Sequence, residues 1–200
     1  MAETGDCFQR SSKKLHSLLL ASRNPWAGPA LELAIETSLR QAALFSICRE
    51  WVDVRCRLIK FPPDARRAVN ESVPVALALS QRAIAVFRNF AAIAEGVDAR
   101  LARSSHGPAD VRLAGLKGRV FGTSANAVIC VWKRTLKIAS TDNPAVASLR
   151  WHDLRHEVTS RLFEKGLHPM GVASITGHRS MQMLKRYTHL NPESLIPKLG

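Results

Sequence analysis

The chain has 200 residues, enough for one domain or one domain with a short appendage. Apolar residues make up 46% of it, which excludes global disorder, and no apolar run reaches the roughly 18 residues that a membrane-spanning helix needs. Against 16 Asp and Glu stand 29 Lys and Arg, a net charge of +13 that favours a polyanionic partner, most often nucleic acid. An anionic membrane surface suits this charge less well, because no long amphipathic basic helix stands out. The four cysteines (Cys7, Cys48, Cys56, Cys130) form no C-x-x-C pair. They read as reduced thiols of a cytoplasmic protein rather than as a disulfide framework or a zinc site.

Residues 1–28 are polar and basic and read as a leader or linker, with one short helix around Leu15 to Ala21. Within it "SLLLA" (17–21) is too short and too polar-flanked for a signal-peptide core. From Ala30, "ALELAIETSLRQAALFSI" repeats apolar residues at helical spacing and predicts an amphipathic helix with a break near Thr37-Ser38. In "WVDVRCRLIKFPPD" (51–64), Val52, Val54, Leu58 and Phe61 suggest short strands, and Pro62-Pro63-Asp64 reads as a turn. A third strand is expected in "ESVPVAL" (71–77), giving a small antiparallel sheet.

Ser80 caps a helix over 80–95, residues 96–118 read as a loop, and Ser124 caps a helix over 124–139. "STDNPA" (140–145) is a further loop. Three helices are expected after His152: one capped by Asp153 and ended by Gly166, one from about Met170 to Gly177, and one from Ser180 through about His189. The expected class is mainly α with a small antiparallel β-sheet (α+β).

Chemistry concentrates in the last fifty residues. His152 and Arg155 are three apart in "WHDLRHEVTSRLFEKG" and can point the same way, while Leu154, Val158 and Leu162 anchor another stripe. An imidazole beside a guanidinium fork suits a phosphate oxygen. Taken alone, the motif fits a surface helix with a satisfied His and Arg equally well. His152 and His156 are four apart, but Asp153 and Arg155 lie between them, so H-E-x-x-H is not matched and no metal site is expected.

"GHRSMQMLKRYTHL" (177–190) holds Tyr187, the only tyrosine of the chain. His178 and Tyr187, nine apart, would face opposite ways on one continuous helix. A stop at Gly177 and a cap at Ser180 break that register and let Tyr187 return towards His178. Met181 and Leu184 would pack the helix, leaving Lys185 and Arg186 beside the phenol. Cationic neighbours ease phenolate formation from an ordinary pKa near 10, which fits a nucleophile attacking phosphorus. A half-buried packing residue is the plainer alternative.

"HDLRH" followed by "GHRSMQMLKRYTH" resembles the tyrosine recombinases, or phage integrases. "LELAIETSLRQAALFSICREWVDV" resembles the family's first arginine segment and puts its catalytic arginine at Arg40. "RVFGTSANAVICVWKR" resembles the stretch before the His-Arg box, so coverage runs from about 30 to 190. The resemblance implies the tyrosine recombinase catalytic-domain fold over residues 29–190. It also implies a site-specific DNA recombinase that cleaves and rejoins strands with no metal and no cofactor. Tyr187 would form a 3′-phosphotyrosyl link and free a 5′-hydroxyl, with Arg40 and Arg155 clamping the non-bridging oxygens. His152 and His178 would orient the phosphate, His152 also serving as proton acceptor. Lys185, Arg186 and Arg179 would contact DNA phosphates. The implied partners are double-stranded DNA and further copies of the chain, as a dimer or tetramer on DNA, in the cytoplasm and away from membranes.

The sequence departs from the family pattern in three places. Where the family has Thr-Gly-x-Arg-x-x-Glu, Ser38 replaces the glycine and Ala43 stands at the acidic position. Arg66 takes the place of a general-acid lysine on a turn between strands, and Lys60 is the substitute if that turn is shaped differently. Twenty-eight leading residues are too few for the family's amino-terminal clamp, so weaker DNA affinity and slower chemistry are expected of a bare catalytic domain. The tail, 191–200, is apolar enough to pack on its own domain or on a neighbouring protomer. Two other readings stay open: a DNA-binding protein that keeps the fold but little catalysis, and a type IB topoisomerase-like relaxing enzyme.

Overall fold

Apolar residues three and four apart on a helix need a common partner, and the segment from Ala27 finds one at the centre of the fold. The computed structural model describes residues 15–69, 73–94, 118–178 and 180–187, with backbone only for 91–94. After a helical stretch α1 (15–20), helix α2 (Ala27–Thr37) buries Ala27, Ala30, Leu31, Leu33 and Ala34. It packs against three later helices, over Gln81–Ala94, Ala125–Ala139 and Asp153–Glu164. Ser38 ends α2 in the left-handed conformation (φ 54, ψ 18), its N–H donating to the Ala34 carbonyl. Arg40 is extended and precedes α3 (Gln41–Ser46), so the expected break leaves this arginine at the joint between two helices.

Strands β1 (Val52–Asp53), β2 (Leu58–Lys60) and β3 (Ala76–Ala78) form an antiparallel sheet in the order β1-β2-β3. Val52 pairs with Ile59, and Ile59 with Leu77. Ile59 and Leu77 are buried while Lys60, Ala76 and Ala78 are exposed, the period of two that a half-buried sheet requires. Pro62-Pro63-Asp64 is not a simple turn. It opens helix α4 (Pro63–Val69), because proline at a helix start forfeits an N–H that would be unpaired anyway. The third strand falls at 76–78, later than expected; residues 70–72 lie outside the described residues, as does the expected loop except Gly118.

Helix α5 (Gln81–Ala94) begins at Ser80, whose hydroxyl accepts from the Ala83 N–H and donates to Glu36. Helix α6 (Ala125–Ala139) is capped by Ser124, which accepts from the Ala127 N–H. Helix α7 (Asp153–Glu164) is preceded by His152 at the cap position. Asp153 lies inside the first turn and accepts instead from the Arg150 N–H, at 2.8 Å. Helix α8 (Pro169–Thr176) ends at left-handed Gly177. Ser180 accepts from the Gln182 N–H and starts α9 (Met181–Leu184), which tightens into a 3₁₀ turn over Lys185–Tyr187 rather than running on as α-helix. Residues beyond 187, and with them the expected tail, lie outside the described residues.

Trp26, Phe45, Phe90 and Phe121 stack in the main core, with ring centroids 4.6 to 6.2 Å apart. Leu15 and Leu19 are buried in the same core, so from residue 15 the segment expected as a linker is packed into the fold. Trp132 meets Trp151 edge-on at 5.4 Å just ahead of α7. Val158, Val172 and Leu184 are buried outside that core, where α7, α8 and α9 pack on one another. Each such side chain contributes about 1.5–3 kcal/mol by leaving water. The architecture is mainly helical with one small antiparallel sheet, as expected.

Candidate active site

The first turn of α7 points inward, and its Arg155 is only 5% exposed. Nη1 donates to the Ser38 carbonyl at 2.6 Å, so the left-handed end of α2 positions a guanidinium 117 residues further along the chain. Nη2 is buried with no hydrogen-bond partner among the described residues. Burial, and then the like charge of Arg40, push the Arg155 pKa down to about 10. Arg40, Gln41, His152 and Arg155 line one cavity of about 80 Å³. A guanidinium desolvated beside another cation, with a donor to spare, is a site whose electrostatic cost an anion offsets. A larger groove of about 630 Å³ adjoins it through Gln41, Trp151 and His152 and carries Lys133 and Lys137.

Tyr187 sits on the 3₁₀ turn after α9, held there by Leu184, which is 1% exposed. Met181, expected to share that anchoring, is exposed instead. The Tyr187 phenol oxygen hydrogen-bonds Nδ1 of His156. The ring stacks on His156 (centroids 5.9 Å apart) and on Phe163 (6.5 Å), with His178 at 6.3 Å. Burial pushes the phenol pKa up, against the pull of Arg186 and Arg155. Arg186, one of the two cations expected beside the phenol, does ease its ionisation, but it and Lys185 are exposed, and desolvation outweighs the cationic pull.

His178 follows Gly177, and the broken register brings it near Tyr187 as the spacing predicted. Its Nδ1 lies 2.5 Å from the Thr176 hydroxyl oxygen, while that hydroxyl donates to the Val172 carbonyl at 2.7 Å. With its one proton spent, the Thr176 oxygen accepts, which assigns the imidazole hydrogen to Nδ1 and leaves a lone pair on Nε2. Burial, then Arg155, Arg40, His156 and Arg186, push the His178 pKa down to about 4, so the ring is neutral near pH 7. His152, exposed at the start of α7, is also lowered, by burial, His156, Arg155 and Arg40 against Asp153.

The fold thus brings Arg40, His152, Arg155, His178 and Tyr187 together. His156 is the member that sequence reasoning missed, having been weighed only as a metal partner of His152. The available signal was its four-residue spacing from His152 on a helix that also carries Arg155. Lys60 and Arg66 are outside this cluster. Lys60 is exposed at the end of β2 near Asp53, and the Arg66 Nε donates to the Val73 carbonyl at 3.0 Å. Ala43 packs in the main core. Arg179 lies outside the described residues. Among the described residues, no three His, Cys, Asp or Glu are grouped to hold a metal ion, and no helix is long and apolar enough to cross a membrane.

Residues 11–194 match the model of the Phage integrase family. The chain belongs to that family. A curated relative, the shufflon-specific DNA recombinase of Escherichia coli, is 34% identical over 168 residues, which are 84% of this chain and 35% of the relative. The chain therefore spans about a third of the length of that recombinase. Among solved structures, the Tn1549 transposon integrase in complex with transposon right end DNA superposes with a TM-score of 0.64 at 16% identity, covering 94% of this chain and 62% of that one. The catalytic domain of bacteriophage HP1 integrase gives 0.55 at 16% identity, over 94% and 90%. XerA recombinase gives 0.59 at 15% identity, over 94% and 60%. At these identities the likeness is one of fold.

Proposed function

We propose that this chain cleaves and rejoins DNA strands as the catalytic domain of a site-specific recombinase, with Tyr187 as nucleophile. The observation that supports this reading best is the convergence of the only tyrosine with a buried guanidinium whose Nη2 has no hydrogen-bond partner among the described residues. A scissile phosphate bound there would receive Nη2 of Arg155 and the charge of Arg40 on its non-bridging oxygens. Such donors act on charge that grows in the pentavalent transition state, and losing one typically costs about 10²–10³ in rate. The Tyr187 oxygen would bond to phosphorus as the bond to the 5′-oxygen breaks, leaving a 3′-phosphotyrosyl link and a 5′-hydroxyl. A 5′-hydroxyl from another strand reverses the step, and that exchange is recombination. Neutral His178 and His152 would orient the phosphate, and the leaving oxygen would take its proton from water, since Lys60 and Arg66 stand outside the cluster.

Lys185, Arg186, Arg179 and the lysines of the neighbouring groove would follow the duplex backbone, with copies of the chain pairing on DNA. The shufflon-specific relative and the DNA-bound transposon integrase accord with a DNA substrate. A second reading, a DNA-binding protein with weakened catalysis, draws on the Arg66 guanidinium being engaged by Val73 and on Ala43 packing in the core. Covalent trapping on nicked duplexes from the native DNA flanks separates the two. A protein–DNA band in denaturing gels that Tyr187→Phe abolishes supports strand transfer; binding without a band, on substrates a longer relative does cleave, supports the second reading.

A further inference from the structure

We propose that His156 is a further catalytic residue of this site, the group that exchanges a proton with the Tyr187 phenol during cleavage and rejoining. The inference rests on Tyr187 being the nucleophile and goes beyond it by naming its base. The phenol oxygen is hydrogen-bonded to Nδ1 of His156, and the two rings lie 29° from parallel. The phenol's hydrogen bond goes to His156, whereas the His178 ring is tilted 56° from that of Tyr187 with centroids 6.3 Å apart. His152 meets the His156 ring edge-on at 4.9 Å and is itself exposed, which gives a proton on His156 an exit to solvent. Charged and titratable groups around the pair are His152, Arg155, Arg40, His178 and Arg186. Four of the five carry or can acquire positive charge without leaving α7 or the Gly177–Tyr187 segment, and Arg40 adds a fifth.

In the forward step the phenol O–H breaks and its proton moves to Nδ1, while the tyrosine oxygen bonds to phosphorus. The bond to the 5′-oxygen breaks, and that oxygen takes a proton from water, which it gives back to water when it attacks phosphorus in rejoining. In rejoining, the protonated His156 returns its proton to the departing tyrosine oxygen, so it is neutral again after each full cycle. This requires the His156 tautomer with hydrogen on Nε2, the one in which Nδ1 accepts.

The test uses the whole chain with ζ-¹³C tyrosine, whose one signal belongs to Tyr187. That signal should sit at a shift set by the imidazole bonded to the phenol and lying over its ring, and the shift should change in His156→Asn and His156→Gln. On a nicked duplex, His156→Asn keeps a polar atom near the place of Nδ1 but has no base. It should form the covalent adduct about 100-fold more slowly than wild type, with unchanged DNA affinity and a rate that climbs as pH nears the phenol pKa. Cleavage by His156→Asn at the wild-type rate and with the wild-type pH profile overturns the inference, as does a wild-type phenol signal that ignores the imidazole in a chain that cleaves. A wild-type chain that shows the shift and binds DNA but never attaches to it overturns the nucleophile reading first, and the proton transfer with it.

Discussion

Replacing Ser38 by glycine should stabilise the protein without touching its chemistry. Ser38 holds φ 54, and a side chain in the left-handed region costs about 1–2 kcal/mol. Its hydroxyl is buried with no hydrogen-bond partner among the described residues, which costs about 1–3 kcal/mol more. Glycine removes both terms and returns about 0.5–1 kcal/mol through the greater freedom of its unfolded chain. The expected net gain is about 1–4 kcal/mol, or roughly 2–4 °C in Tm for each kcal/mol in a chain of this size. Ser38→Ala separates the contributions, since it removes the hydroxyl and keeps the backbone strain. Urea titration should therefore rank glycine above alanine above serine. Because the carbonyl that receives Arg155 is retained in all three, adduct formation should keep its rate. Alanine matching glycine would refute the strain argument, and a glycine variant less stable than wild type would refute the whole account.

Leu184→Ala should cost about 2–5 kcal/mol and slow DNA attachment, because it removes the buried anchor of the turn that carries Tyr187; thermal melts beside adduct kinetics check both effects. Lowering the pH should destabilise the protein through His178. Its folded pKa of about 4 lies below the ordinary 6.5, so the unfolded chain takes up the proton first. The stability is fully present above about pH 6.5 and is lost as pH falls towards 4. Full linkage would be about 3 kcal/mol, which partial exposure reduces to about 1–2. Urea titrations across that window should show the slope, and His178→Gln should flatten it.

Local signals were readable where one side chain decides the outcome. Ser80, Ser124 and Ser180 each accept the backbone N–H their positions suggested, and α2 ends at the break expected near Thr37-Ser38. Pro62-Pro63-Asp64 misled because proline suits a helix start as well as a turn. Asp153 misled because the Arg150 N–H competes for its carboxylate and the helix starts one residue earlier. Site members were legible as residue types at family spacings, yet their coupling was not. The His156–Tyr187 bond joins residues 31 apart, and the upward push on the phenol comes from burial among α7 and α9, which no local pattern encodes.

The bond from Arg155 to the Ser38 carbonyl has a consequence for when the candidate site comes together. Arg40 leaves the ribosome long before Arg155 and Tyr187, and α2 alone offers only a bare carbonyl at its end. The pairing of the two arginines comes into being only when these distant stretches of the chain meet. A nascent or half-denatured copy therefore holds the candidate site in separate pieces, without the contact that positions Arg155.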